Sequence, residues 1–304
     1  MKSLSIIIVN WNSGSQLHSC INSIVEFGLP LVNQIIVVDN GSTDGSEIDV
    51  ENLPKVTLIR AGYNRGFAAA CNQGAALASA DYLLLLNPDT RLFENSLSTP
   101  LDFMDDENNA NVGICGIQLV DEQGCASTSA ARFPTLRVMA GKILGLNHFL
   151  PNIFPAHLMS SSDLRKSSLV DQVIGAFFLI RKNVFDQCYG FDERFFVYFE
   201  EVDLSLRVKK LGYSSYFLAD ATAFHKGGGC SDQVEALRLF YSLRSRILYA
   251  HKHYGPVDFT ILIFLTLIEF PLRLSRGILR FSLSDVKNVI SAYTQLCYEF
   301  LRRA

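Results

Sequence analysis

Amide and carboxylate side chains follow three apolar runs in the first third of the chain. Asn10 and Asn12 follow the first run, Asp39 ends the second, and Asn87 and Asp89 follow the third. A carboxylate beside small residues suits recognition of a nucleotide's base and ribose. A hard divalent cation binds through one or two carboxylates together with substrate phosphates. These residues therefore indicate a nucleotide site, although Asn-Gly and Asn-Pro-Asp sequences are also ordinary turn signals.

A second acidic segment lies between residues 194 and 207. Glu200 and Glu201 follow a run of aromatic residues and precede Asp203. Adjacent carboxylates beside aromatic walls raise each other's proton affinity, which is how a general base acquires a pKa near neutrality. The structural alternative is that the acids complement a helix N-terminus and that Asp203 pairs with Arg207. We expect the structural role for Asp203 and a chemical role for the two glutamates.

Two further segments have residue types that suit a metal or a phosphate. His225 follows a predicted strand and precedes three glycines, so a neutral imidazole could ligate a metal while the loop covers phosphates. The segment from Asn64 to Gly74 opens a predicted helix, and Gly66 leaves helix N–H groups free to face a phosphate. Each signal has a plain alternative, because a lone histidine is more often structural and a helix of small residues packs closely on any sheet.

Strands and helices alternate in the part of the chain that carries these residues. Short apolar runs predict strands over 4–9, 34–38, 56–59 and 82–86. The segments between them predict helices over 15–27 and 67–78. Such alternation favours an α/β fold with a mostly parallel central sheet and ligands at the carboxyl ends of its strands. The polar strand ends are therefore expected to meet in one crevice.

The second half of the chain gives a less regular pattern. Between Asn108 and Leu169, prolines and a serine run predict an insertion or a mobile loop on the acceptor side. Later patterns predict strands over 173–180 and 213–218 and helices over 202–211 and 232–253. We divide the chain into a catalytic domain over 1–230 and a helical C-terminal extension over 231–304. Within the domain, the nucleotide-binding half covers about 1–110 and the acceptor half about 111–230.

The composition is that of a folded protein with a basic tail. Of 304 residues 49% are hydrophobic, with only 9 Pro and 20 Gly, which excludes disordered and collagen-like chains. Residues 238–304 hold 10 Lys and Arg against 4 Asp and Glu, so a net −3 divides into +6 there and −9 elsewhere. Seven cysteines without C-x-x-C spacing favour a reducing cytoplasm, and no secretory signal is predicted.

The apolar stretch from Phe259 to Leu272 has two interpretations. It is too short to span a membrane, so an ordinary core helix is one of them. The other is a helix lying in the plane of the membrane surface, because Glu269, Arg273, Arg276 and Arg280 recur at helical spacing beside apolar residues. Pro271 is expected to kink it. We predict peripheral contact with the inner face of the cytoplasmic membrane, and no nucleic-acid binding, because basic and aromatic residues do not interleave.

Five segments carry a family resemblance: those around Asp39, Asn64–Gly74, Asn87–Asp89, 194–207 and His225. In this order they resemble glycosyltransferase family 2, the inverting nucleotide-sugar glycosyltransferases with the GT-A fold, and in particular its rhamnosyltransferase-like branch. The similarity extends over about Ser3 to Gly255. It implies transfer of a sugar from a dTDP- or UDP-sugar donor to a hydroxyl of a glycan or lipid-linked acceptor, with Mg²⁺ or Mn²⁺ as cofactor. The branch further implies rhamnose from dTDP-rhamnose and a role in synthesis of cell-surface polysaccharide.

The resemblance also implies roles for individual residues. Asp39 would bind the nucleobase, and Asp89 and His225 would bind the metal. Glu201, or else Glu200, would be the base that deprotonates the acceptor. The remaining nucleotide contacts would be Asn10, Asn12, Asn64, Gly66, Phe67, Asn72, Asn87 and Arg244, and the acceptor would border Gly175 and Ala176.

Two positions depart from the family pattern. Asn87 stands where the D-x-D motif has its first Asp, and Glu201 stands where the Glu-Asp motif has its catalytic Asp. These departures leave a catalytically silent nucleotide-sugar-binding module as the alternative function. A nucleotidyltransferase would need a phosphate loop rich in Gly and Lys near the first strand, and residues 11–14 supply one Gly and no Lys.

Overall fold

The computed structural model describes residues 3–160, 162–227 and 235–303. Its strands, numbered along the chain, are β1 (Leu4–Asn10), β2 (Gln34–Asp39), β3 (Val56–Arg60), β4 (Tyr82–Leu86), β5 (Thr90–Leu92), β6 (Val112–Val120), β7 (Ala130–Ala131), β8 (Ser168–Val170), β9 (Gln172–Val173), β10 (Phe177–Arg181) and β11 (Ser214–His225). Its α-helices are α1 (Gln16–Phe27), α2 (Phe67–Ala75), α3 (Ser98–Asp105), α4 (Leu136–Leu144), α5 (Lys182–Gln187), α6 (Glu200–Lys210), α7 (Glu235–His253), α8 (Pro256–Leu279) and α9 (Leu283–Arg303).

Nine of these strands form one mixed sheet in the order β3-β2-β1-β4-β10-β6-β11-β5, with β8 also paired to β11. The strands β1 to β4 are mutually parallel where they pair, as the alternation predicts. The sheet becomes mixed because β10 runs antiparallel between β4 and β6. The α/β class is thus confirmed, and the carboxyl ends of β1, β2 and β4 lie at one edge.

The sheet is buried on both faces, which explains the unbroken apolar runs. On β1, Leu4, Ile6 and Ile8 pack in the same cluster as α1, whereas Ile7 and Val9 pack in the cluster that contains α2. The alternation of successive side chains between the two faces makes both layers necessary. The buried strands consequently hold their polar ends at fixed positions.

The strand β6 is the main departure from the sequence prediction, which had expected an irregular segment there. Val112–Val120 is a buried strand between β10 and β11. Its two glycines weaken the strand pattern, yet close packing requires both. A Cβ on Gly116 would lie 2.6 Å from Cβ of Val173, and one on Gly113 would lie 3.0 Å from Cβ of Tyr213.

Two other strands begin or end at residues different from those predicted. The strand predicted over 173–180 is divided into β9 and β10, because Ile174, Gly175 and Ala176 leave the strand conformation between them. The strand predicted over 213–218 continues as β11 to His225, with a register shift between Leu218 and Thr222 where it pairs with β6. This continuation carries His225 to a position opposite Thr90 of β5.

The chain forms two compact units. The first contains the described residues of 1–132, 158–194 and 200–230, and the second those of 133–157, 195–199 and 231–304. The sheet lies in the first unit, and α4, α7, α8 and α9 lie in the second. The second unit therefore includes two segments that the sequence interpretation assigned to the acceptor half.

The helices of the second unit share an apolar core. Val138 and Met139 of α4 pack with Leu262 and Leu265 of α8, and residues of α7 and α9 form a neighbouring cluster. Pro271 lies inside α8, which continues to Leu279. No helix within the described ranges is both long enough and apolar enough to cross a membrane. The grouping of Glu269 with the arginines at 273, 276 and 280 on one surface was wrong, because its side chain is buried between Arg246 of α7 and Arg273 of α8.

Candidate active site

Asn10 and Asp39 form the centre of the first strand-end cluster. They are register partners at the ends of β1 and β2, and Asn10 Nδ2 donates to Asp39 Oδ1 at 2.9 Å. Asn10 Nδ2 also lies 3.0 Å from Ser42 Oγ and 2.8 Å from Ser46 Oγ. Asp39 is only 5% exposed. The structure therefore brings these predicted residues together and adds two serines, from the loop after β2, that the sequence analysis did not single out.

Asn12 organises the loop beside this pair. Its backbone has φ of 51°, and its side-chain Oδ1 accepts a hydrogen bond from Thr43 N at 2.8 Å. Its own N–H donates to Ser42 Oγ at 3.1 Å. Asn12 thus joins the loop after β1 to the loop after β2, close to Asp39, where a nucleobase pocket was expected.

Asn64 and Gly66 shape the entry to α2. Asn64 Oδ1 accepts from Gly66 N at 2.9 Å and from Asn40 Nδ2 at 3.0 Å. Gly66 has φ of 87°, a conformation that favours glycine, and its position before α2 leaves the first helix N–H groups without a capping side chain. Asn40, which is 2% exposed and also accepts from Arg65 N, is a positioning residue that the sequence analysis missed.

Phe67 and Asn72, two predicted nucleotide contacts on α2, are engaged within the protein. The Phe67 ring lies 6.4 Å from that of Phe191. Asn72 Oδ1 accepts from Phe191 N at 2.9 Å, and its Nδ2 donates to Phe191 O and to Glu193 Oε1. These contacts tie α2 to the segment that leads toward Glu200.

The Asn-Pro-Asp turn is hydrogen-bonded to Ala176, one of the two residues predicted to border the acceptor. Asn87 N donates to the Ala176 carbonyl at 3.1 Å, and Thr90 Oγ1 donates to the same oxygen at 3.4 Å. Thr90 N closes the turn on the Asn87 carbonyl at 3.1 Å. These hydrogen bonds join the turn to the segment Gly175–Ala176, although Thr90 and Ala176 are 86 positions apart in the sequence.

Asp89 and His225 lie together, as the metal prediction requires. His225 Nε2 is 3.4 Å from Asp89 Oδ1, and Asp89 is 8% exposed. One carboxylate and one imidazole fit a divalent cation that takes its remaining ligands from substrate phosphates. Within the described residues no group of three or more His, Cys, Asp or Glu side chains could hold a metal alone. Most of the glycine loop after His225, at 228–231, lies outside the described residues.

Glu200 and Glu201 begin α6 with buried carboxylate oxygens. Oε2 of each has no hydrogen-bond partner among the described residues. Burial raises the pKa of Glu200 well above its usual range, and the charge of Glu201 raises it further. Burial also raises the pKa of Glu201, against backbone N–H groups that lower it. Such a pair of carboxylates is a candidate for proton transfer near neutral pH.

Glu201 faces the acceptor-side segment. A Cβ added to Gly175 would lie 3.9 Å from Glu201 Cγ and 4.0 Å from Glu201 Cδ. The residues before Glu200 hold strained backbone, with φ of 67° at Tyr198 and 69° at Phe199. Positive φ at two bulky residues is uncommon and is found where the surroundings impose it. The backbone that leads into α6 therefore holds an uncommon conformation.

Two remaining residues have structural partners. Asp203 is fully buried and pairs with Arg207 at 2.7 Å, which confirms the structural role expected for it. Arg244 lies in α7 of the second unit, where its Nε is 2.8 Å from Glu299 Oε1. Its predicted contact with the nucleotide stays a prediction.

Solved structures share this fold. Mannosyltransferase PcManGT from Pyrobaculum calidifontis, in complex with GDP-Man and Mn²⁺, aligns with a TM-score of 0.56 and 15% identity over 98% of this chain and 74% of that chain. TarS residues 1–349 from S. aureus in complex with UDP aligns with a TM-score of 0.53 and 16% identity over 90% of this chain and 74% of that chain. These likenesses establish the fold, which is GT-A.

Curated relatives are more similar in sequence. N-acetylglucosaminyl-diphospho-decaprenol L-rhamnosyltransferase of Mycobacterium tuberculosis (strain ATCC 25618 / H37Rv) is 27% identical over 266 residues, which is 83% of this chain and 85% of that protein. The dTDP-rhamnosyl transferase RfbF of Shigella flexneri is 24% identical over 238 residues, 75% of this chain and 74% of that protein. Rhamnosyltransferase WbbL of Escherichia coli (strain K12) is 27% identical over 54% of this chain and 60% of that protein.

The solved structures show the GT-A fold, and the rhamnosyltransferase relatives show that the chain is a glycosyltransferase. The sequence profile described as Glycosyl transferase family 2 matches residues 5–188. The chain therefore belongs to glycosyl transferase family 2, and it is rhamnosyltransferase-like.

Proposed function

We propose that this protein transfers rhamnose from dTDP-rhamnose to a hydroxyl of a diphospholipid-linked sugar during synthesis of cell-surface polysaccharide. The donor is suggested by the dTDP-rhamnosyl transferase among the relatives, and the acceptor by the diphospho-decaprenol named in another. The observation that carries the proposal is the buried, unpartnered carboxylate oxygen of Glu201 beside Gly175. Gly175 carries no side chain that would occupy the space beside that carboxylate.

Glu201 is the proposed general base. Its carboxylate takes the proton of the acceptor hydroxyl as the oxygen attacks the anomeric carbon from the face opposite the diphosphate. The new glycosidic bond forms, the bond to the diphosphate breaks, and the nucleoside diphosphate leaves with the bonding electrons. One displacement inverts the anomeric centre.

Glu200 is the proposed partner that keeps this base effective. Two neighbouring buried carboxylates resist double ionisation, so one proton remains on the pair. The direction of the shifts favours Glu200 as the holder of that proton, because both burial and the Glu201 charge raise its pKa. Glu201 is then the carboxylate proposed to act in its ionised form, and burial raises its pKa as well.

Donor recognition is assigned to the strand ends. The carboxylate of Asp39, oriented by Asn10, would accept a hydrogen bond from the ring N–H of thymine or uracil. Asp89 and His225 would hold the divalent cation, whose chemistry would be to neutralise the charge that develops on the leaving diphosphate. Asn87 replaces one carboxylate of the usual pair, so more of the cation's ligands would come from the donor.

Chelation tests the metal assignment. EDTA treatment should abolish activity, and full activity after exhaustive chelation would refute the assignment.

Membrane contact through α8 completes the proposal. The helix exposes Phe264, Leu267, Ile268 and Leu272. Arg276 is exposed further along it, and Arg280 is exposed directly after its end. An apolar strip beside basic residues suits the surface of an anionic bilayer, where a lipid-linked acceptor resides. We infer peripheral attachment at the cytoplasmic leaflet.

A panel of sugar nucleotides tests the donor assignment. Thermal unfolding with Mn²⁺ should show a larger rise in Tm for dTDP-rhamnose than for UDP-glucose, UDP-N-acetylglucosamine or GDP-mannose. Transfer of labelled rhamnose to a polyprenyl diphosphate-linked N-acetylglucosamine then distinguishes an enzyme from a silent binding module. Donor binding with neither transfer to this acceptor nor hydrolysis would favour the silent module. A preference for GDP-mannose would overturn the assignment of dTDP-rhamnose as donor.

A further inference from the structure

The turn between α8 and α9 exposes a group of large apolar side chains. Ile278, Leu279, Phe281 and Leu283 are between 63% and 95% exposed, and Phe281 is the most exposed of them. We call residues 278–283 the apolar turn. Single exposed apolar residues are ordinary on a protein surface, but several on one turn mark a contact site.

Hydrogen bonds and packing define the conformation of the apolar turn. Ser282 N donates to the Gly277 carbonyl at 3.0 Å, and Phe281 N donates at the same distance to the carbonyl of Ile278. These two bonds form a Schellman motif, which closes the C-terminal end of α8. A Cβ on Gly277 would lie 2.9 Å from Val286 Cγ2, so α8 and α9 pack closely at the base of the turn. The apolar side chains are therefore presented on a closed, hydrogen-bonded turn.

Phe281 occupies a backbone position that favours glycine. Its φ is 54°, in the left-handed region, and it stands where a Schellman motif usually has Gly. An aromatic residue is disfavoured there, because its Cβ crowds the backbone. The ring recovers little by packing within the protein, since Phe281 is 95% exposed. The fold thus does not explain the aromatic side chain, which indicates a contact outside the chain.

Exposed basic residues flank the apolar turn. Arg276 and Arg280 lie on its N-terminal side and within it, and Lys287 lies one turn into α9. Residues 271–298 hold four Lys and Arg against one acid, Asp285. Apolar side chains surrounded by cations complement a surface of anionic headgroups over a hydrocarbon interior. A second copy of this chain fits less well, because a symmetric pair would bring the two basic groups together.

We propose that the apolar turn inserts into an anionic bilayer, with Phe281 among the acyl chains and the flanking cations at the headgroups. The bilayer as partner rests on the proposed function. Insertion by the turn goes beyond the contact of the α8 strip, which lies in the plane of the surface. The turn is then the anchor, and its aromatic residue at a glycine position supplies buried apolar area once it is in the lipid.

Vesicle binding by the full chain tests the insertion. Wild type and Phe281→Gly are compared on phosphatidylcholine vesicles that contain phosphatidylglycerol. Loss of one inserted aromatic side chain should weaken binding about tenfold. Glycine suits a φ of 54°, so the Tm of the variant should not fall. A purely structural role for Phe281 predicts the opposite pair of results, a lower Tm and unchanged binding.

Tyr189→Gly is the matched control. Tyr189 has a φ of 57° and is 94% exposed, but it lies in the first unit. No other large apolar side chain is exposed in the described range 180–200. This variant should bind vesicles as wild type does. Leu279→Gln, which removes another exposed side chain of the apolar turn and suits a helix end, should weaken binding as Phe281→Gly does.

The outcomes separate this proposal from the proposed function. Undiminished vesicle binding by Phe281→Gly and Leu279→Gln would overturn the insertion, and binding that still depends on the α8 strip would leave the in-plane contact in place. A loss of self-association in sedimentation, without a loss of vesicle binding, would assign the turn to contact between copies and also overturn it. Wild-type protein that binds no vesicles would overturn the membrane contact altogether. Failure to transfer rhamnose would overturn the proposed transfer without altering the vesicle result.

Discussion

Glu200 and Glu201 are adjacent carboxylates at the start of α6, and burial raises the pKa of both. Their type and their aromatic neighbours predict this raised proton affinity. Their proximity to the acceptor side could not be predicted from local pattern, since Gly175 lies far from them in sequence and approaches Glu201 only through the fold. At this scale the residue types indicated the chemistry, and tertiary packing supplied the geometry.

The raised pKa of Glu200 predicts how stability depends on pH. The folded state retains a proton that the unfolded chain releases above its ordinary pKa of 4.5, so the free energy of unfolding falls as pH rises from there toward the folded pKa. The slope is about 1.4 kcal/mol per pH unit. Glu200→Gln should remove this loss and make the protein more stable than wild type at pH 8, measured by denaturant unfolding.

A matched surface variant controls this experiment. Glu122 is exposed, so Glu122→Gln should leave the pH dependence as in wild type. A Glu200→Gln protein whose unfolding free energy has the wild-type pH dependence would show that Glu200 is not held protonated.

The nucleotide-side residues were predictable because they end apolar strands. Asn10 and Asp39 meet as register partners, as parallel strand ends require. Ser42 and Ser46 were missed, although both belong to the polar loop after Asp39, since hydroxyls in a turn carry no distinct signal. Only the family resemblance predicted Arg244 as a nucleotide contact. In the structure its side chain pairs with Glu299.

Among the elements, β6 shows where sequence periodicity fails. Its glycines at 113 and 116 interrupt the apolar run, and only the packing against Tyr213 and Val173 explains them. Neither partner is near β6 in sequence. The strand was therefore hidden by a requirement of tertiary packing that local pattern does not contain.

Gly116→Ala tests this explanation. The added Cβ would lie 2.6 Å from Val173 Cβ, so the free energy of unfolding should fall by about 1–3 kcal/mol, measured in denaturant. Gly175→Ala is the control, because its Cβ would meet nothing closer than 3.9 Å, and it should be destabilised by less than about 0.5 kcal/mol. Equal stability of both variants would contradict the packing argument.

The helix α8 combines the two interpretations that the sequence left open. Leu262 and Leu265 are buried in the core of the helical unit, whereas Phe264 is 62% exposed. The sequence could not predict which residues of this stretch are buried and which are exposed, because nearly every position in it is apolar. Burial of Glu269 was likewise hidden, since its partner Arg246 lies on another helix.

For the whole molecule, charge and hydrophobicity are divided along the chain. Residues 238–304 carry a net +6 and the rest a net −9. The family resemblance predicted the GT-A fold, which the sheet and the solved structures bear out. The inclusion of 133–157 and 195–199 in the helical unit was not predictable, because it depends on contacts between distant segments.

Disrupting the exposed strip of α8 tests the proposed membrane contact. The double substitution Phe264→Glu and Ile268→Glu places two carboxylates in a strip of exposed apolar residues, so binding to phosphatidylglycerol vesicles should fall at least about tenfold. Leu77→Glu, at an exposed apolar residue of the first unit, should bind as wild type does. Co-sedimentation with vesicles measures both. Undiminished binding of the double variant would exclude this strip as the contact.

The central claim is that Glu201 is the base of an inverting rhamnosyl transfer. The direct test is transfer of labelled rhamnose by Glu201→Gln, with donor affinity measured in parallel by calorimetry. Our account predicts that kcat falls by about 10²–10⁴-fold while the Kd for dTDP-rhamnose changes little, since the amide keeps the size of the side chain but cannot accept the proton. Wild-type turnover by the variant, with unchanged donor binding, would contradict it.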